Sequence, residues 1–258
     1  MNKNTSIFAE MLYESERTRT PILPFAQMDK SFDMTAAYRV QYANVERAVA
    51  EGRTVSGKKV AASSKELQGK LGLDEPFYGH LFASMDCSDG VCDTARLISP
   101  KVEAEIAFVL GEDITGRSVT SEDVRKATSY VVPAIEVVDC RGVDWSFNPV
   151  ESVADNALSG GYLLGDGRFD VDAVDLADVK TRLYKNDEIV REGRGANVLG
   201  DPLLSVAWLA GKLCEHGSAL RKGEVVLSGA LAMPVPAIKG DEFVADFGDF
   251  GRVRARFM

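Results

Sequence analysis

The chain has 258 residues, of which 45% are hydrophobic, and this length and composition predict a folded protein with a sizeable core. Its formal net charge of -9 argues against a general binder of nucleic acids or anionic membranes, because both partners require a basic surface. The N-terminal segment lacks the apolar run of a signal peptide, and no stretch of about 18 apolar residues occurs. We therefore expect a cytoplasmic protein.

The cysteines and histidines narrow the chemistry that the chain can perform. The four cysteines show neither CxxC spacing nor the density of a disulfide scaffold, so we expect reduced thiols and no zinc site: Cys87, Cys92, Cys140 and Cys214. Catalytic dyads and metal triads usually draw on histidine, and only His80 and His216 are present. Catalysis is therefore expected to rely on carboxylates, lysine or a hard metal ion.

The first third of the chain is predicted to be helical. Apolar residues recur at spacings of three and four over residues 34–49, with Asp33 as a candidate N-cap and Gly52 just beyond the end. The sequence then changes to short β-like runs separated by glycine. The stretch KVEAEIAFVL is the clearest predicted strand, and Pro100 stands at its entrance, where a missing N–H group is tolerated.

The second half alternates helices and strands. In SVTSEDVRKATSYVVPAIEVVD, Thr120 or Ser121 is the expected helix cap, and Pro133 is expected to end the helix before the strand AIEVVD. In DPLLSVAWLAGKLCEHG, Asp201 is the expected N-cap and Pro202 the first helical residue. Strands are predicted in GEVVLSGAL, DEFVADFGDFG and RVRARFM, and the last alternates arginine with apolar residues as a half-buried strand does.

The order of these elements favours a single body. The sequence has no internal repeat, no linker and no regular βαβ alternation, and it contains neither a GxGxxG nor a GxxxxGK[ST] phosphate loop. We predict a helical N-terminal portion, residues 1–70, that packs on a β-rich catalytic core, residues 71–258. The two portions are expected to form one continuous structural unit.

Glu103 and Glu105 are expected on the same side of the predicted strand, because residues i and i+2 share a face. Two adjacent carboxylates repel unless solvent, a shared proton or a cation neutralises them. The spacing leaves two interpretations open: a solvent-facing edge, or a site for a hard divalent cation with oxygen ligands. Glu136, inside the apolar stretch AIEVVD, adds a third carboxylate and strengthens the cation hypothesis without excluding the solvated edge.

Five ordered segments carry a family resemblance that covers nearly the whole chain. KVEAEIAFVL, PAIEVVDCRGVDW, SVADNALSGGYLLG, GRGANVLGDP and GEVVLSGAL resemble the 2-oxopent-4-enoate hydratase and 4-oxalocrotonate decarboxylase family, within the fumarylacetoacetate hydrolase superfamily. The resemblance implies an α+β fold with a mixed β-roll or barrel-like catalytic core and an α-helical N-terminal portion. It also implies a homo-oligomer, and a complex with a sister hydratase or decarboxylase as a further partner.

The resemblance also implies the residues of a metal-dependent site. A Mg2+ or Mn2+ ion is expected to be bound by the three matching carboxylates: Glu103, Glu105 and Glu136. Lys59 in GKKVAA matches an active-site lysine, although the last glycine of that family segment is Ala61 here. Asp155 of the VADN segment matches a candidate acid/base or water-orienting group, and a turn-capping role is its alternative.

Six residues are candidates for contacts with the substrate: Phe77, His80, Arg141, Leu158, Ser159 and Arg194. Arg141 and Arg194 would supply positive charge for an anionic substrate, or serve as structural ion-pair partners. Leu158 stands where the family usually has a serine, and Ser159 follows one position later. Phe77 stands where hydratases of the family carry an acidic residue. For the histidine, the alternative is a place in the core.

The implied chemistry is that of unsaturated 2-oxo acids. A metal-bound 2-hydroxydienoate forms an enolate that the cation stabilises; a hydratase then adds water at the fourth carbon, whereas a decarboxylase releases carbon dioxide. The segment PFYG favours decarboxylases, and GRG and DW favour hydratases. We predict a divalent-metal-dependent hydratase, a hydro-lyase of aromatic meta-cleavage catabolism that gives a 4-hydroxy-2-oxo acid. The alternatives are a 4-oxalocrotonate-type decarboxylase and a non-catalytic partner subunit.

Overall fold

The computed structural model describes residues 3–258. The helices are α1 (Lys3–Thr18), α2 (Met34–Ala50), α3 (Lys65–Leu71), α4 (Ser121–Ala127), α5 (Pro149–Ala154) and α6 (Pro202–Glu215). The strands of the first half are β1 (Val55–Ala61), β2 (Phe77–Phe82), β3 (Val91–Cys92), β4 (Pro100–Leu110) and β5 (Thr128–Asp139). Those of the second half are β6 (Ser159–Leu164), β7 (Lys180–Lys185), β8 (Glu188–Arg194), β9 (Val225–Leu227), β10 (Val235–Pro236), β11 (Glu242–Asp246) and β12 (Arg252–Phe257).

The strands form two mixed sheets. The seven-stranded first sheet has the order β2-β1-β9-β4-β5-β6, with β10 paired to β4, and the five-stranded second sheet has the order β3-β12-β11-β7-β8. The first sheet curls until β6 approaches β1, where the Tyr162 hydroxyl lies 3.1 Å from Ser56 Oγ. A bridge between Asp86 and Tyr162 ties β6 to the chain that follows β2. The predicted α+β fold with a rolled, mixed sheet is confirmed.

The N-terminal helices cover one side of this roll. The predicted helix over residues 34–49 is confirmed as α2, and the Asp33 side chain accepts the N–H group of Ala36 as an N-cap. β1, which follows α2, already lies inside the first sheet between β2 and β9. The core sheet thus begins at Val55, and the division of the chain at residue 70 stays a prediction.

Pro133 lies within a strand, and the prediction that it ends a helix is wrong. α4 ends at Ala127, and β5 starts at once with Thr128. The carbonyl of Pro133 accepts the N–H group of Gly165, just beyond the end of β6. In an antiparallel ladder, the N–H and C=O groups of one residue point toward the same neighbouring strand. The N–H group that Pro133 lacks would therefore point toward β6, at a level where β6 has already ended.

The last helix and the last strand agree with their sequence patterns. Asp201 accepts the N–H group of Leu203, and Pro202 begins α6, whose apolar stripe is buried. In β12 the apolar residues are buried in the core that the second sheet shares with the first, and the arginines are exposed. Within residues 3–258, no helix has the length and hydropathy that a membrane span requires.

Candidate metal centre

Three glutamates meet on one face of the first sheet. The register of β4 and β5 places Glu103 directly opposite Glu136, and Glu105 lies two residues further along the same face of β4. One ligand atom of each carboxylate lies within 4.8 Å of those of the other two. Glu105 and Glu136 have no exposed surface, whereas Glu103 is partly exposed. Burial of two of the three excludes the solvent-facing edge that the spacing left open.

The carboxylates of this cluster have more buried oxygen atoms than partners within the protein. Glu105 Oε2 accepts the N–H group of Gly229 at 2.8 Å. Glu105 Oε1 and Glu136 Oε2 are buried without a hydrogen bond from any described residue, and Glu136 Oε1 has only the ammonium group of Lys59, 2.9 Å away. An unsatisfied buried polar group costs about 1–3 kcal/mol, and more when it is charged. Oxygen-only ligands suit hard divalent cations such as Mg2+ and Mn2+. The residues present therefore fit such an ion.

Lys59 contributes the positive charge next to the glutamates. Lys59 pairs with Leu227, and Leu227 pairs with Ala107 of β4. The buried side chain of Lys59 therefore lies on the sheet face that carries the carboxylates. Lys59 Nζ lies 2.9 Å from Glu136 Oε1 and donates to the carbonyl oxygen of Ala157 at 2.9 Å. Three carboxylates and one ammonium leave two negative charges when all are ionised, the charge that a divalent cation balances.

The pKa values of these groups reflect crowding of like charge in a buried space. Burial, followed by the charge of Glu136, raises the pKa of Glu103 to about 8. The same two causes raise the pKa of Glu105. Burial lowers the pKa of Lys59, but the carboxylates around it outweigh burial, and the net shift is upward. The ammonium of Lys59 is therefore retained, whereas the metal-free carboxylates tend to hold protons.

A left-handed turn, residues 156–158, positions the carbonyl that Lys59 binds. Asn156, Ala157 and Leu158 have φ values of 50°, 51° and 62°, a conformation that costs non-glycine residues about 1–3 kcal/mol each. The Asn156 side chain holds the turn, because it accepts from His80 N and donates to His80 O, each at 2.8 Å. A Cβ atom on Gly79 would lie 2.3 Å from Asn156 O, so glycine permits this close approach.

Arg141 and Asp155 form a buried ion pair at the start of the same turn. Arg141 Nε donates to Asp155 Oδ1, the Arg141 backbone N–H donates to Asp155 Oδ2 at 3.0 Å, and Nη1 reaches the carbonyl oxygen of Ser159 at 3.1 Å. Burial raises the pKa of Asp155 to about 7, and the Arg141 guanidinium opposes this shift. The Ser159 hydroxyl donates to Asn156 O. These contacts hold the turn, and direct roles of the three side chains in catalysis or substrate binding stay predictions.

The remaining predicted contact residues lie in different surroundings. Alternation along β1 and β2 places His80 on the sheet face opposite Lys59, buried beside Tyr42 with Nδ1 3.1 Å from Gln41 Oε1. Burial lowers the pKa of His80 to about 3. Phe77 is buried in β2 and Leu158 is partly buried in the turn, whereas Arg194 is exposed at the end of β8 in the second sheet. Their contacts with a substrate stay predictions.

Sequence reasoning missed three residues of this region. Lys101 lies two positions before Glu103 on the same face of β4, and its Nζ lies 3.5 Å from the centre of the Trp145 ring. Lys101 stands beside the partly exposed carboxylate of Glu103. The i, i+2 spacing from Glu103 is the sequence pattern that could have identified it. Asn156 and Gly79 fix the turn, but only contacts across the chain identify them.

The chain is similar to known proteins over most of its length. The family described as Fumarylacetoacetate (FAA) hydrolase C-terminal matches residues 89–258. The chain is 40% identical over 250 residues to a 2-keto-4-pentenoate hydratase of Paraburkholderia xenovorans (strain LB400), covering 96% of this chain and 93% of the relative. It is 36% identical over 260 residues to the 2-oxo-hept-4-ene-1,7-dioate hydratase of Escherichia coli, covering 98% and 97%.

Among solved structures, the chain is similar to the 4-oxalocrotonate decarboxylase from Pseudomonas putida G7 complexed with magnesium and adipate. The TM-score is 0.96 at 33% sequence identity, and the alignment covers 100% of this chain and 98% of that one. A full-length match of fold and sequence thus accompanies the glutamate cluster. The chain belongs to the 2-keto-4-pentenoate hydratase and 4-oxalocrotonate decarboxylase family of the fumarylacetoacetate hydrolase superfamily.

Proposed function

We propose that this protein is a divalent-metal-dependent hydratase that converts a 2-hydroxydienoate, or its 2-oxo-4-enoate tautomer, to a 4-hydroxy-2-oxo acid in aromatic meta-cleavage catabolism. The observation that carries the proposal is the cluster of three carboxylates beside Lys59, in which buried oxygen atoms of Glu105 and Glu136 have no partner among the described residues. Full-length relatives that are 36–40% identical carry hydratase names, which supports the same reaction.

We assign the binding of Mg2+ or Mn2+ to Glu103, Glu105 and Glu136. When bound, such a cation supplies Lewis-acid stabilisation of the negative charge that develops on the 2-oxygen of the substrate. The decarboxylase of similar structure was solved with magnesium, which supports this choice of metal. Gly229 orients Glu105 through its N–H group, and the sheet register keeps Glu103 and Glu136 face to face.

Lys59 is proposed as the catalytic lysine. Two of its three N–H groups are directed at Ala157 O and Glu136 Oε1, so the third is available to a substrate oxygen or a water molecule. Hydration requires proton transfer to and from carbon and oxygen, and a positioned ammonium in a water-poor site can hold and deliver that proton. In the metal-free protein, the surrounding carboxylates raise the pKa of Lys59 and keep the proton on Nζ.

Asp155 and Arg141 are proposed to act through the turn, as positioning residues. Both carboxylate oxygens of Asp155 are bound by Arg141, and Arg141 Nη2 also donates to Asp155 O at 2.7 Å. This pair holds the chain just before Asn156, whose neighbour Ala157 supplies the oxygen that orients Lys59. Lys101 lies at the partly exposed side of the cluster, and its positive charge is proposed to attract the carboxylate of an entering substrate.

Decarboxylation is the second candidate function. It is favoured by the apolar Phe77, buried in β2, and by the TM-score of 0.96 to a 4-oxalocrotonate decarboxylase. Hydration ranks first because the sequence identity to the named hydratases, 36–40%, exceeds the 33% to that decarboxylase. Both reactions develop charge on the same substrate oxygen, so the same cluster serves either.

The deciding experiment incubates the purified protein with Mg2+ or Mn2+ and either 2-hydroxypenta-2,4-dienoate or 4-oxalocrotonate, with products identified by mass. Loss of the dienol absorbance with gain of one water molecule is expected. Loss of carbon dioxide without hydration would assign the decarboxylase instead. Metal binding without turnover of either acid would leave a non-catalytic partner subunit.

The assembly state is a separate proposal. We propose a homo-oligomer that is able to associate with a sister decarboxylase or hydratase, following the family resemblance. Sedimentation of the purified chain measures the first part, and co-purification with the sister enzyme measures the second. A monomer at micromolar concentration would contradict the homo-oligomer.

A further inference from the structure

The loop from Cys87 to Cys92 joins the first sheet to the second. Cys87 N donates to Tyr162 O in β6 at 2.8 Å, and Arg256 N in β12 donates to Gly90 O at 3.0 Å. Gly90 N donates back to Cys87 O at 2.8 Å, and Gly90 has a φ of 86°, which favours glycine. This tight turn brings the two cysteines, five positions apart in sequence, to the same place in the fold.

The two thiols face one cavity. Cys87 and Cys92 both line a pocket of about 260 Å3, together with Arg96, and both cysteines are free. A water molecule occupies about 30 Å3 of liquid, so the pocket admits small molecules. Cys87 is partly exposed, whereas Cys92 is only 1% exposed. A solute that enters the pocket therefore reaches Cys87 first.

The chemical roles of the two thiols are unequal. The Cys87 thiol donates to Met85 O at 3.6 Å, and interaction with the Cys92 thiol and the charge of Arg96 lower the pKa of Cys87 against burial. The same interaction between the two thiols, together with burial, raises the pKa of Cys92. The thiolate is the nucleophile in thiol–disulfide exchange. Cys87 is therefore suited to attack. In the mixed disulfide, Cys87 no longer carries the charge or offers the thiolate acceptor that raises the pKa of Cys92, so Cys92 can then lose its proton and resolve the product.

We propose that Cys87 and Cys92 are a redox modification site that forms a reversible intramolecular disulfide with low-molecular-weight disulfides. The Cys87 thiolate attacks one sulfur of the small disulfide and expels the other as a thiolate, giving a mixed disulfide. Cys92, after losing its proton, attacks the Cys87 sulfur and expels the second small thiolate. In total, two protein thiols are oxidised to one disulfide, and the small disulfide is reduced to two thiols that take up the two protons.

The other cysteines provide internal controls. Cys140 is buried in a different place, where its sulfur accepts the N–H group of Gly142 at 3.3 Å. Cys214 lies near the end of α6. Neither lines the pocket of the Cys87–Cys92 pair. Oxidation by a small disulfide should therefore consume one pair and leave Cys140 and Cys214 reduced.

The test incubates the full chain with oxidised glutathione, quenches with acid and counts thiols after unfolding. The titratable thiols should fall from four to two, and the intact mass should fall by two hydrogen atoms. Cleavage before Asp89 separates Cys87 from Cys92, so the two resulting peptides should stay joined until dithiothreitol is added. A stable glutathione adduct on wild-type Cys87, a linkage to another cysteine, or four unreacted thiols would overturn the proposal.

Two variants separate attack from resolution. Cys92→Ser should accumulate a glutathione adduct on Cys87, because no second thiol is present to expel it. Cys140→Ser should form the same intramolecular disulfide as the wild type. An adduct-free Cys92→Ser protein that melts at the wild-type temperature would contradict Cys87 as the attacking thiol. The wild-type peptide map is independent of how either variant folds.

Discussion

Substitution of Glu105 by glutamine should stabilise the metal-free protein, although it changes a wholly buried residue. The amide oxygen retains the hydrogen bond from Gly229 N, and the amide N–H groups then face the other two carboxylates. The substitution replaces a carboxyl group whose pKa is raised by burial with a neutral amide, and it removes one oxygen that has no partner, which costs about 1–3 kcal/mol. In a chain of this size, about 1 kcal/mol shifts Tm by about 2–4 °C. We expect metal-free Glu105→Gln to melt about 2–12 °C above the wild type.

The response to metal should change in the opposite direction. A ligand that binds only the folded state at 100 times its Kd stabilises it by about 2.7 kcal/mol. Saturating Mg2+ or Mn2+ should therefore raise the wild-type Tm by about 5–11 °C. Glu105→Gln loses one of three charged ligands, so the same metal concentration should raise its Tm little, and metal-dependent activity should be abolished while the fold is retained.

The assay is calorimetric melting after treatment with a chelator, with and without added metal. Glu151→Gln is the matched control, because its buried carboxylate accepts N–H groups from Phe25, Ala26 and Asn148. The control should melt below the wild type and keep the full response to metal. A Glu105→Gln protein that melts below the wild type without metal, or that responds to metal as the wild type does, would refute the reasoning.

Three further substitutions test the surroundings of the cluster. Lys59→Met removes the cation that contacts Glu136. Because breaking a buried ion pair costs about 3–5 kcal/mol, the metal-free Tm should fall, and activity should drop at least about 100-fold. An unchanged metal-free Tm would argue against the ion pair. Asn156→Ala loses two hydrogen bonds to the His80 backbone, so stability should fall by about 1–3 kcal/mol. The kcat should also fall, because Ala157 O no longer holds Lys59; melting and steady-state kinetics measure the two effects. A wild-type kcat would show that the turn does not position the lysine. His80→Gln should weaken the loss of stability in acid. Burial lowers the pKa of His80 from 6.5 to about 3, so as the pH falls the unfolded chain binds a proton at this residue and the folded chain does not. From pH 7.5 to 5, the free energy of unfolding of the wild type should therefore fall by about 2 kcal/mol because of this group. Urea unfolding at both pH values measures this loss, and equal losses in wild type and variant would disprove it.

Local patterns predicted much of the fold. Alternation in KVEAEIAFVL gave the correct face for Glu103 and Glu105, since the i, i+2 relation depends only on strand geometry. Capping chemistry located the starts of α2 and α6 for the same local reason. Pro133 was misplaced because its tolerance in β5 depends on where a strand further along the chain ends. Spacing carries no such information.

The candidate site shows the same limit at the level of side chains. The sequence predicted a third carboxylate at Glu136, but not that it lies opposite Glu103, because strand register is set by the whole sheet. The pairing of Arg141 with Asp155 and the place of His80 on the opposite face both depend on contacts between distant elements. The sequence left an ion-pair role open for Arg141 and a core role open for His80, and the surroundings of both residues resemble those alternatives. For Asp155 the alternative was turn capping, but its side chain binds Arg141 instead.

The unequal exposure of the three glutamates has a stereochemical consequence. Glu105 and Glu136 are sealed, and the cluster meets solvent on the side of Glu103 and Lys101. A planar conjugated acid held at such a cluster presents one of its two faces to incoming water. The fourth carbon becomes a stereocentre when the hydroxyl group is added, so one-sided entry predicts that the 4-hydroxy acid is formed as a single enantiomer.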